Sequence, residues 1–326
     1  MTIFLLGFLV MTAVAVVLMR DLFAVVMLTG IYSLLSASFF VVFDAVDVAF
    51  TEAAVGAGIS TLLMLSTLTL TGRYAKESTQ KPWLALAIVT VTGALLIYGT
   101  LDMPTIGSAS APIHQHVAPR YLNDSMQEIA VPNVVTSVLA SYRGYDTLGE
   151  SFVIFTAGIG VLALLMVLQR RRASDVDAHG PMHQHLILRI VAKILIPLIL
   201  LFALYVQFHG DYGPGGGFQA GVIFAAAIIL YSMLFGLSAA RQTISQPLIF
   251  ALSAVGVLLY GGVGVACMLL GGNYLDYDAL AEDPVAGQHL GILLVELGVG
   301  ITVASVMIII FFTFNGRSLS ERGRRR

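Results

Sequence analysis

The sequence predicts an all-α membrane protein with about nine transmembrane helices. Hydrophobic residues make up 58% of the 326 residues, and the mean hydropathy is +0.90. Charged residues make up only 11%, less than half of the roughly 25% that is usual in soluble domains. The apolar residues are concentrated in runs of roughly twenty, which is the length that one transmembrane helix needs.

Charged and turn-forming residues mark the ends of the predicted spans. Hydrophobic periodicity says little where every helix face is apolar. The first span lacks a basic flank and a small-residue cleavage site, so we expect a retained helix rather than a signal peptide. The stretch 131–146 is too short to cross a membrane, and we expect a short helix at the outer interface. The predicted spans are 2–19, 22–43, 48–70, 83–101, 147–168, 186–208, 218–237, 247–270 and 290–313.

The distribution of basic residues predicts that the N-terminus is outside and the C-terminus inside. In this orientation only Arg120 and Arg143 lie outside, where the loops are acidic. An excess of Lys and Arg on the inner side is the usual sign of orientation. The inner residues are Arg20, Arg73, Lys76, Lys81, Arg170, Arg171, Arg172, Arg241 and the cluster in 317–326.

Composition divides the chain into three predicted modules. Residues 1–80 hold three helices, and residues 81–172 hold two helices separated by a polar loop. A charged linker then leads to a four-helix bundle in residues 182–326. No helix pattern repeats between the modules, so an inverted-repeat transporter is not indicated.

Cysteine and histidine limit the cofactors that this sequence can hold. Cys267 is the single cysteine, which excludes an internal disulfide and an iron–sulfur cluster ligated by this chain alone. All seven histidines fall in loops or at helix ends, so a two-histidine haem within the bilayer is not expected. The pairs His114/His116 and His183/His185 are either metal ligands or, as we expect, solvated loop residues. No cofactor and no metal site is therefore predicted.

The most specific motif is the glycine-rich turn in residues 209–221, which reads HGDYGPGGGFQAG. So many Gly and Pro residues exclude a helix, and the motif is either a tight turn between two membrane helices or a functional element. No Lys-Ser or Lys-Thr follows, so we expect neither a phosphate-binding loop nor nucleotide binding. We also expect no nucleic acid among the partners. Its candidate structural residues are His209, Asp211, Pro214, Gly215, Gly216, Gly217, Phe218 and Gln219.

Ionisable side chains inside membrane spans are candidates for ion translocation, because a charge at that depth is costly. Glu52 lies about one turn inside the third span, and Asp47 lies at its outer boundary, where solvation is the alternative explanation. Glu296 lies about two turns inside the last span, among glycines that allow close helix packing. The third and last spans therefore each supply a candidate carboxylate.

Arg143, Asp146 and Glu150 follow a helical spacing that would place them on one face. They form either an internal ion pair that orients the helix or part of a proton relay. We count Asp146 and Glu150 among the candidate translocation residues.

Lys193 lies about two turns inside the sixth span, and Pro197 removes the backbone hydrogen bond that the Lys193 carbonyl would accept. Either the ammonium titrates beside this freed carbonyl, or it extends to the inner surface together with Arg189. The two alternatives differ in whether arginine can replace Lys193.

The chain resembles known families in three places. The glycine-rich turn closely resembles the first hairpin of the B-type subunit of Mrp-type Na⁺/H⁺ antiporters, and residues 182–326 resemble that protein throughout. Residues 47–58, DVAFTEAAVGAG, resemble a domain shared by the end of the large, A-type antiporter subunit and the D-type subunit of membrane-bound hydrogenases. Residues 133–150, NVVTSVLASYRGYDTLGE, are similar to the E-type module of those hydrogenases.

The resemblance implies a non-redox membrane subunit of a multisubunit Na⁺/H⁺ antiporter in the plasma membrane. Its expected partners are the other Mrp-type subunits, membrane lipid, Na⁺ and H⁺. The long antiporter domain of the usual large subunit is not in this sequence, so we expect a separately encoded antiporter-like chain. The first five helices would resemble a small subunit of respiratory complex I that contains a π-bulge, at Gly56 and Gly58 or at Gly158 and Gly160.

Two alternatives remain open at this point. The same modules would also suit the membrane arm of a redox-driven ion pump, with its redox centres on other chains. A structural membrane scaffold is disfavoured, because it has no need for several carboxylates at membrane depth.

Overall fold

The computed structural model describes residues 1–76, 82–105, 107–166 and 185–324, and nine apolar helices lie within them. Seven are long and apolar enough to cross a membrane, whereas α1 and α4 are shorter. The described residues contain no β-strand, so the predicted fold class is confirmed. The helices are α1 (Thr2–Leu18), α2 (Leu22–Val42), α3 (Val46–Leu68), α4 (Pro82–Gly99), α5 (Gly144–Met166), α6 (Leu186–His209), α7 (Gly217–Phe235), α8 (Gln246–Leu269) and α9 (Pro284–Arg324).

The number of membrane crossings and the orientation stay predictions, as do the module boundaries. Several residues on which they rest lie outside the described residues: Lys81, Arg170, Arg171, Arg172, Arg325 and Arg326.

Residues at the helix ends either supply hydrogen-bond partners for backbone groups or allow the backbone to turn. In an apolar environment backbone polar groups need partners within the protein. The Asp21 carboxylate accepts a hydrogen bond from the Phe23 N–H over 3.0 Å and so caps α2. The same carboxylate is paired with Arg73, which follows α3, at 2.7 Å. At the end of α7, Gly236 adopts φ +99°, and a short helix, Leu237–Thr243, then changes direction.

Helix α9 lies at the centre of the second half of the chain and packs against α5, α7 and α8. Two of these contacts depend on glycine. A Cβ atom on Gly221 of α7 would lie 2.6 Å from the Gly300 carbonyl of α9. A Cβ on Gly256 of α8 would lie 2.6 Å from the Gly298 carbonyl. The three helices therefore approach closely, as small residues allow in membranes.

Some helix boundaries differ from the prediction. Helix α9 begins at Pro284 rather than at 290 and continues to Arg324 rather than ending at 313. The predicted span followed the apolar residues, but a helix continues through polar residues once its backbone geometry is established. Helix α5 likewise begins at Gly144 rather than at 147.

Two π-helical segments interrupt the regular helices. Residues Ala53–Ser60 of α3 are π-helical and contain Gly56 and Gly58, the first of the two predicted pairs. Gly158 and Gly160 lie in the regular helix α5. A second π-helical segment, Ser137–Tyr142, continues the short helix Val134–Thr136 and was not predicted.

The short helix expected within 131–146 is present, and part of it is buried in the protein. Ser137 is fully buried, and Ala140 is buried beneath the 3₁₀ helix Tyr277–Leu280 that precedes α9. The Tyr277 hydroxyl donates a hydrogen bond to the Ala140 carbonyl over 2.9 Å. The second module is therefore attached directly to the third.

Candidate functional site

A cavity of about 550 Å³ lies where the three predicted modules meet. Asp47 at the start of α3, Glu150 of α5 and Glu296 of α9 line it, so each module contributes one carboxylate. None of the described lining residues is Lys, Arg or His. The cavity thus brings together three of the six predicted translocation residues.

The glycine-rich turn forms the wall around Glu296. Gly216 adopts φ +103°, a backbone conformation that favours glycine. A Cβ on Gly216 would lie 2.9 Å from Glu296 Oε1, and one on Gly210 would lie 3.1 Å from Oε2. The glycines therefore leave the space that the carboxyl group occupies, which gives the predicted motif a specific role.

The other predicted members of the motif surround this wall. The His209 ring stacks on Tyr205 with 4.9 Å between the ring centroids. Gly215, Gly216, Gly217, Phe218 and Gln219 line the cavity, whereas Pro214 is exposed at the tip of the turn.

A hydrogen bond joins the first and third modules beside the cavity. The Gln219 amide Nε2 donates to the Thr51 hydroxyl over 2.8 Å. Gln219 is 6% exposed, so its amide has little access to water as an alternative partner. The bond therefore holds α7 against α3 at the level of the acidic residues.

Asn133 joins all three modules. Its Nδ2 lies 3.3 Å from Asp47 Oδ1, 3.1 Å from the Gly210 carbonyl and 3.0 Å from the Gly213 carbonyl. Its Oδ1 accepts a hydrogen bond from the Val135 N–H and caps the short helix that follows. The neighbouring Thr136 hydroxyl donates to the same Gly210 carbonyl over 2.6 Å.

Further charges lie at the edge of the cavity. His289 Nδ1 of α9 is 3.7 Å from Asp211 Oδ2 of the glycine-rich turn. The Asp211 and Asp47 carboxylates both interact electrostatically with Glu296. A group of negative charges with one nearby imidazole attracts cations and protons.

Buried tyrosines hold the second module in place beside Glu150. The Tyr260 hydroxyl of α8 lines the cavity and donates to the Gly144 carbonyl over 2.7 Å. Burial raises the pKa of Tyr277 well above its usual value, so this phenol remains a hydrogen-bond donor. The Tyr260 bond fixes the start of α5, which carries Glu150, and the Tyr277 bond to Ala140 fixes the segment just before it.

The other predicted translocation residues do not line this cavity. Glu52 lies beside Gly56, whose missing side chain leaves room for the Glu52 carboxyl and the Ser33 hydroxyl of α2. Asp146 forms an ion pair with Arg143 at 2.5 Å. Lys193 is exposed, and its ammonium lies 5.9 Å from the centre of the Phe235 ring; Pro197 lies inside α6, as predicted. A translocation role for these three ionisable residues stays a prediction.

No group of three or more metal ligands occurs among the described residues, so the cavity carboxylates do not form one compact metal site. His114 and His116 lie in or beside short helices of the loop between α4 and α5. Because His183 lies outside the described residues, the expectation that His183 and His185 are solvated loop residues is untested.

Sequence reasoning missed Asn133, Thr51, Thr136 and Tyr260 as site residues. Asn133 did carry a local signal, since Asn before an apolar helical segment is a typical N-cap. The other three are ordinary residues of apolar segments, and only the packing of distant helices brings them to the cavity.

Three family models match successive parts of the chain. MbhD, which describes one subunit of MBH, matches residues 7–73, and MbhE, which describes another, matches residues 83–185. MnhB, described as a "domain related to MnhB subunit of Na+/H+ antiporter", matches residues 187–309. These matches follow the order of the predicted resemblances.

Two relatives of known sequence are each similar to part of the chain. A putative antiporter subunit mnhB2 of Staphylococcus aureus strain Newman is 33% identical over 134 residues, which is 94% of its length and 40% of this chain. An uncharacterized protein of Methanocaldococcus jannaschii is 30% identical over 174 residues, which is 66% of its length and 50% of this chain.

Two solved structures resemble the fold. A chain of the Mrp complex from Dietzia sp. DQ12-45-1b matches with a TM-score of 0.75 and 26% identity, over 96% of this chain but 34% of that chain. A chain of the membrane-bound sulfane sulfur reductase, an archaeal respiratory membrane complex, matches with a TM-score of 0.51 and 26% identity. That match covers 71% of this chain and 97% of the other.

Fold, cavity and similarities together define a polytopic membrane protein of the antiporter and hydrogenase subunit class. More particularly, the chain belongs to the MnhB family of Na⁺/H⁺ antiporter subunits, and domains matching MbhD and MbhE precede the MnhB domain. The predicted resemblance is thereby confirmed.

Proposed function

We propose that this chain is a membrane subunit of a multisubunit Na⁺/H⁺ antiporter and that its acidic cavity forms part of a proton or cation path. The observation that carries the proposal is the cavity itself, in which each module supplies one carboxylate and no described lining residue is basic. The Mrp complex of Dietzia supports it, since a chain of that complex matches 96% of this one.

The three carboxylates line one cavity, and the described residues hold no group of three or more side chains that could bind a metal ion. Such an arrangement suits stepwise transfer, in which a proton or hydrated cation passes from one acid to the next. In a medium of low dielectric constant, a change of charge at Asp47 or Asp211 alters the energy of charge at Glu296. This coupling makes movement at one acid depend on the state of its neighbours.

The proposed partners are other Mrp-type subunits in the plasma membrane. Helix α4 supports this assignment. Residues 83–99 of this helix are exposed, except for Gly93, which is partly covered. An apolar helix in this condition is covered by lipid or by helices of other subunits.

The decisive experiment uses the complete complex in membrane vesicles. Na⁺-driven proton movement is compared for the wild type, Glu296→Gln and the control Glu282→Gln, an exposed carboxylate of the outer loop. We expect loss of transport for Glu296→Gln alone. Wild-type transport by an assembled Glu296→Gln complex would refute the proposed path.

The match to a sulfane sulfur reductase chain supports a second candidate, a membrane-arm subunit of a redox-driven ion pump. The same vesicles distinguish the two functions. An antiporter exchanges Na⁺ and H⁺ in response to an imposed gradient, whereas a redox pump requires an electron donor. Co-purification of iron–sulfur subunits together with donor-dependent transport would favour the second candidate.

A further inference from the structure

We propose that Asn133 is a positioning residue that couples the charge of Asp47 to the glycine-rich turn around Glu296. The proposal rests on the proposed function, in which these two carboxylates belong to one path. It assigns to a neutral side chain of the second module the control of acids in the first and third modules.

The Asn133 side-chain amide has more hydrogen-bond acceptors within reach than it has hydrogens to donate. A primary amide has two N–H hydrogens, but the Asn133 amide nitrogen lies within 3.3 Å of three oxygen acceptors. These are Oδ1 of Asp47 and the carbonyls of Gly210 and Gly213. The three acceptors therefore compete for two hydrogens.

Only one of these three acceptors, the Asp47 carboxylate, changes its charge. An ionised Asp47 accepts a charge-assisted hydrogen bond, which is stronger than a bond to a neutral carbonyl. When Asp47 binds a proton or a cation, this advantage falls, and both amide hydrogens can serve Gly210 and Gly213. The hold on the turn thus depends on the state of Asp47.

The glycine-rich turn lies directly beside the Glu296 carboxyl group. Gly210 lies beside the Glu296 carboxyl, where an added Cβ would come within 3.1 Å of Oε2. The backbone N–H of Asn133 also donates to the Asp211 carbonyl over 3.0 Å, so the asparagine binds the turn at a third point. A shift of the turn would consequently change the space and the dipoles around Glu296.

Other titratable groups act on the same carboxylates. The charges of Asp47 and Asp211 act electrostatically on Glu296 of α9, and His289 pairs with Asp211. Glu150 of α5 lines another part of the cavity. The test must therefore separate the effect of Asn133 on Asp47 from a general loosening of the site.

Thr136 provides the matched control. Its hydroxyl also donates to the Gly210 carbonyl, but it does so without contacting the Asp47 carboxylate. Asn133→Ser is the informative variant, because serine can still cap the short helix but lacks the amide hydrogens. Thr136→Val removes a bond to the turn and leaves the Asn133–Asp47 contact intact.

The experiment measures Na⁺-driven proton movement against pH in vesicles that contain the complete complex. The variants are Asn133→Ser, Thr136→Val, Asp47→Asn and the double variant Asn133→Ser/Asp47→Asn. We expect Asn133→Ser to reduce transport several-fold and to shift the pH profile. Thr136→Val also loosens the turn and should lower transport, but it should leave the pH dependence unshifted, because the Asn133–Asp47 contact remains. The double variant should show no shift of the pH profile beyond that of Asp47→Asn alone, because the charge through which Asn133 acts is already absent.

The outcomes that overturn the proposal are distinct from failure of the proposed function. A wild-type profile for Asn133→Ser, or an equal shift for Thr136→Val, would show that Asn133 does not act through Asp47. Wild-type transport in Asp47→Asn would instead remove Asp47 from the path and contradict the proposed function. If Asn133→Ser does not assemble, Asn133→Gln restores the amide; failure of both would make Asn133 a purely structural residue.

Discussion

The side-chain amide of Gln219 donates a hydrogen bond to the Thr51 hydroxyl over 2.8 Å, although the residues are 168 positions apart. The donor lies in the first turn of α7 and the acceptor in α3, so the bond crosses from the third module to the first. Both residues line the acidic cavity.

We expect Thr51→Val to weaken the packing of α3 on α7 by about 1 kcal/mol, the usual worth of an interhelical hydrogen bond in membranes. The variant keeps the shape of the side chain but leaves a buried amide without its partner. Thermal stability of the purified complex measures the effect. As a control, Thr12→Val changes a threonine that bonds only within α1; equal losses for both variants would contradict a specific role.

Glu296→Gln should reduce Na⁺-driven proton movement by about tenfold or more, because the neutral amide can neither release a proton nor attract a cation. Assembly should persist, since glutamine fits the same glycine-lined space. The measurement is transport in vesicles beside size-exclusion chromatography of the complex. Loss of the assembled complex would indicate a structural role for the carboxylate.

Gly216→Ala should destabilise the turn by about 1–2 kcal/mol, since alanine is strained at φ +103°. Its methyl group would also meet the Glu296 carboxyl, so transport should fall together with stability. Gly160→Ala is the matched control, because nothing lies within 4 Å of the added atom. Retention of full stability by Gly216→Ala would show that the turn adapts without cost.

The loop between α4 and α5 should loosen in acid. The Tyr142 hydroxyl, and after it Arg120, hold the pKa of Glu128 below its usual range, while burial raises the pKa of Tyr142 to about 12. A lowered carboxyl pKa contributes stability that is present above the ordinary pKa of glutamate and is lost as the pH falls through the lowered one. Tyr142→Phe removes the main cause, so less stability should be lost in acid, and the loss should be complete at a higher pH.

Hydrogen exchange of residues 117–129, corrected for the intrinsic pH dependence of exchange, measures this loosening. Tyr121→Phe is the control, because the Tyr121 ring packs on Tyr142 but the Tyr142–Glu128 bond remains. An unchanged pH dependence in Tyr142→Phe would assign the low pKa of Glu128 to other causes.

Lys193→Arg should retain transport and its pH profile. The ammonium is exposed over the face of Phe235, and Arg189 already places a guanidinium 5.5 Å from the same ring centre. Arginine can make the same cation–π contact but cannot release its proton near neutral pH. A loss of activity or a shifted profile would identify Lys193 as a titrating group.

The sequence was sufficient for the fold class, since apolar runs of membrane length leave few alternatives. It also identified Asp47, Glu150, Glu296 and the glycine-rich turn, because charges and Gly-rich segments stand out within apolar sequence. Which of the candidate acids share a cavity depends on how α3, α5 and α9 pack, and the spacing along the chain carries no such information. Asn133 was missed for this reason: it is neutral, and its partners lie 86, 77 and 80 positions away.

Because the three cavity carboxylates lie on one polypeptide, they are synthesised in equal numbers. If separate genes encoded the three modules, an excess of one would leave acids exposed at unfinished interfaces. On a single chain every copy of Asp47 is made together with one Glu150 and one Glu296. Translation itself thus fixes the ratio of the acids, and no balance of expression between genes is needed to complete the cavity.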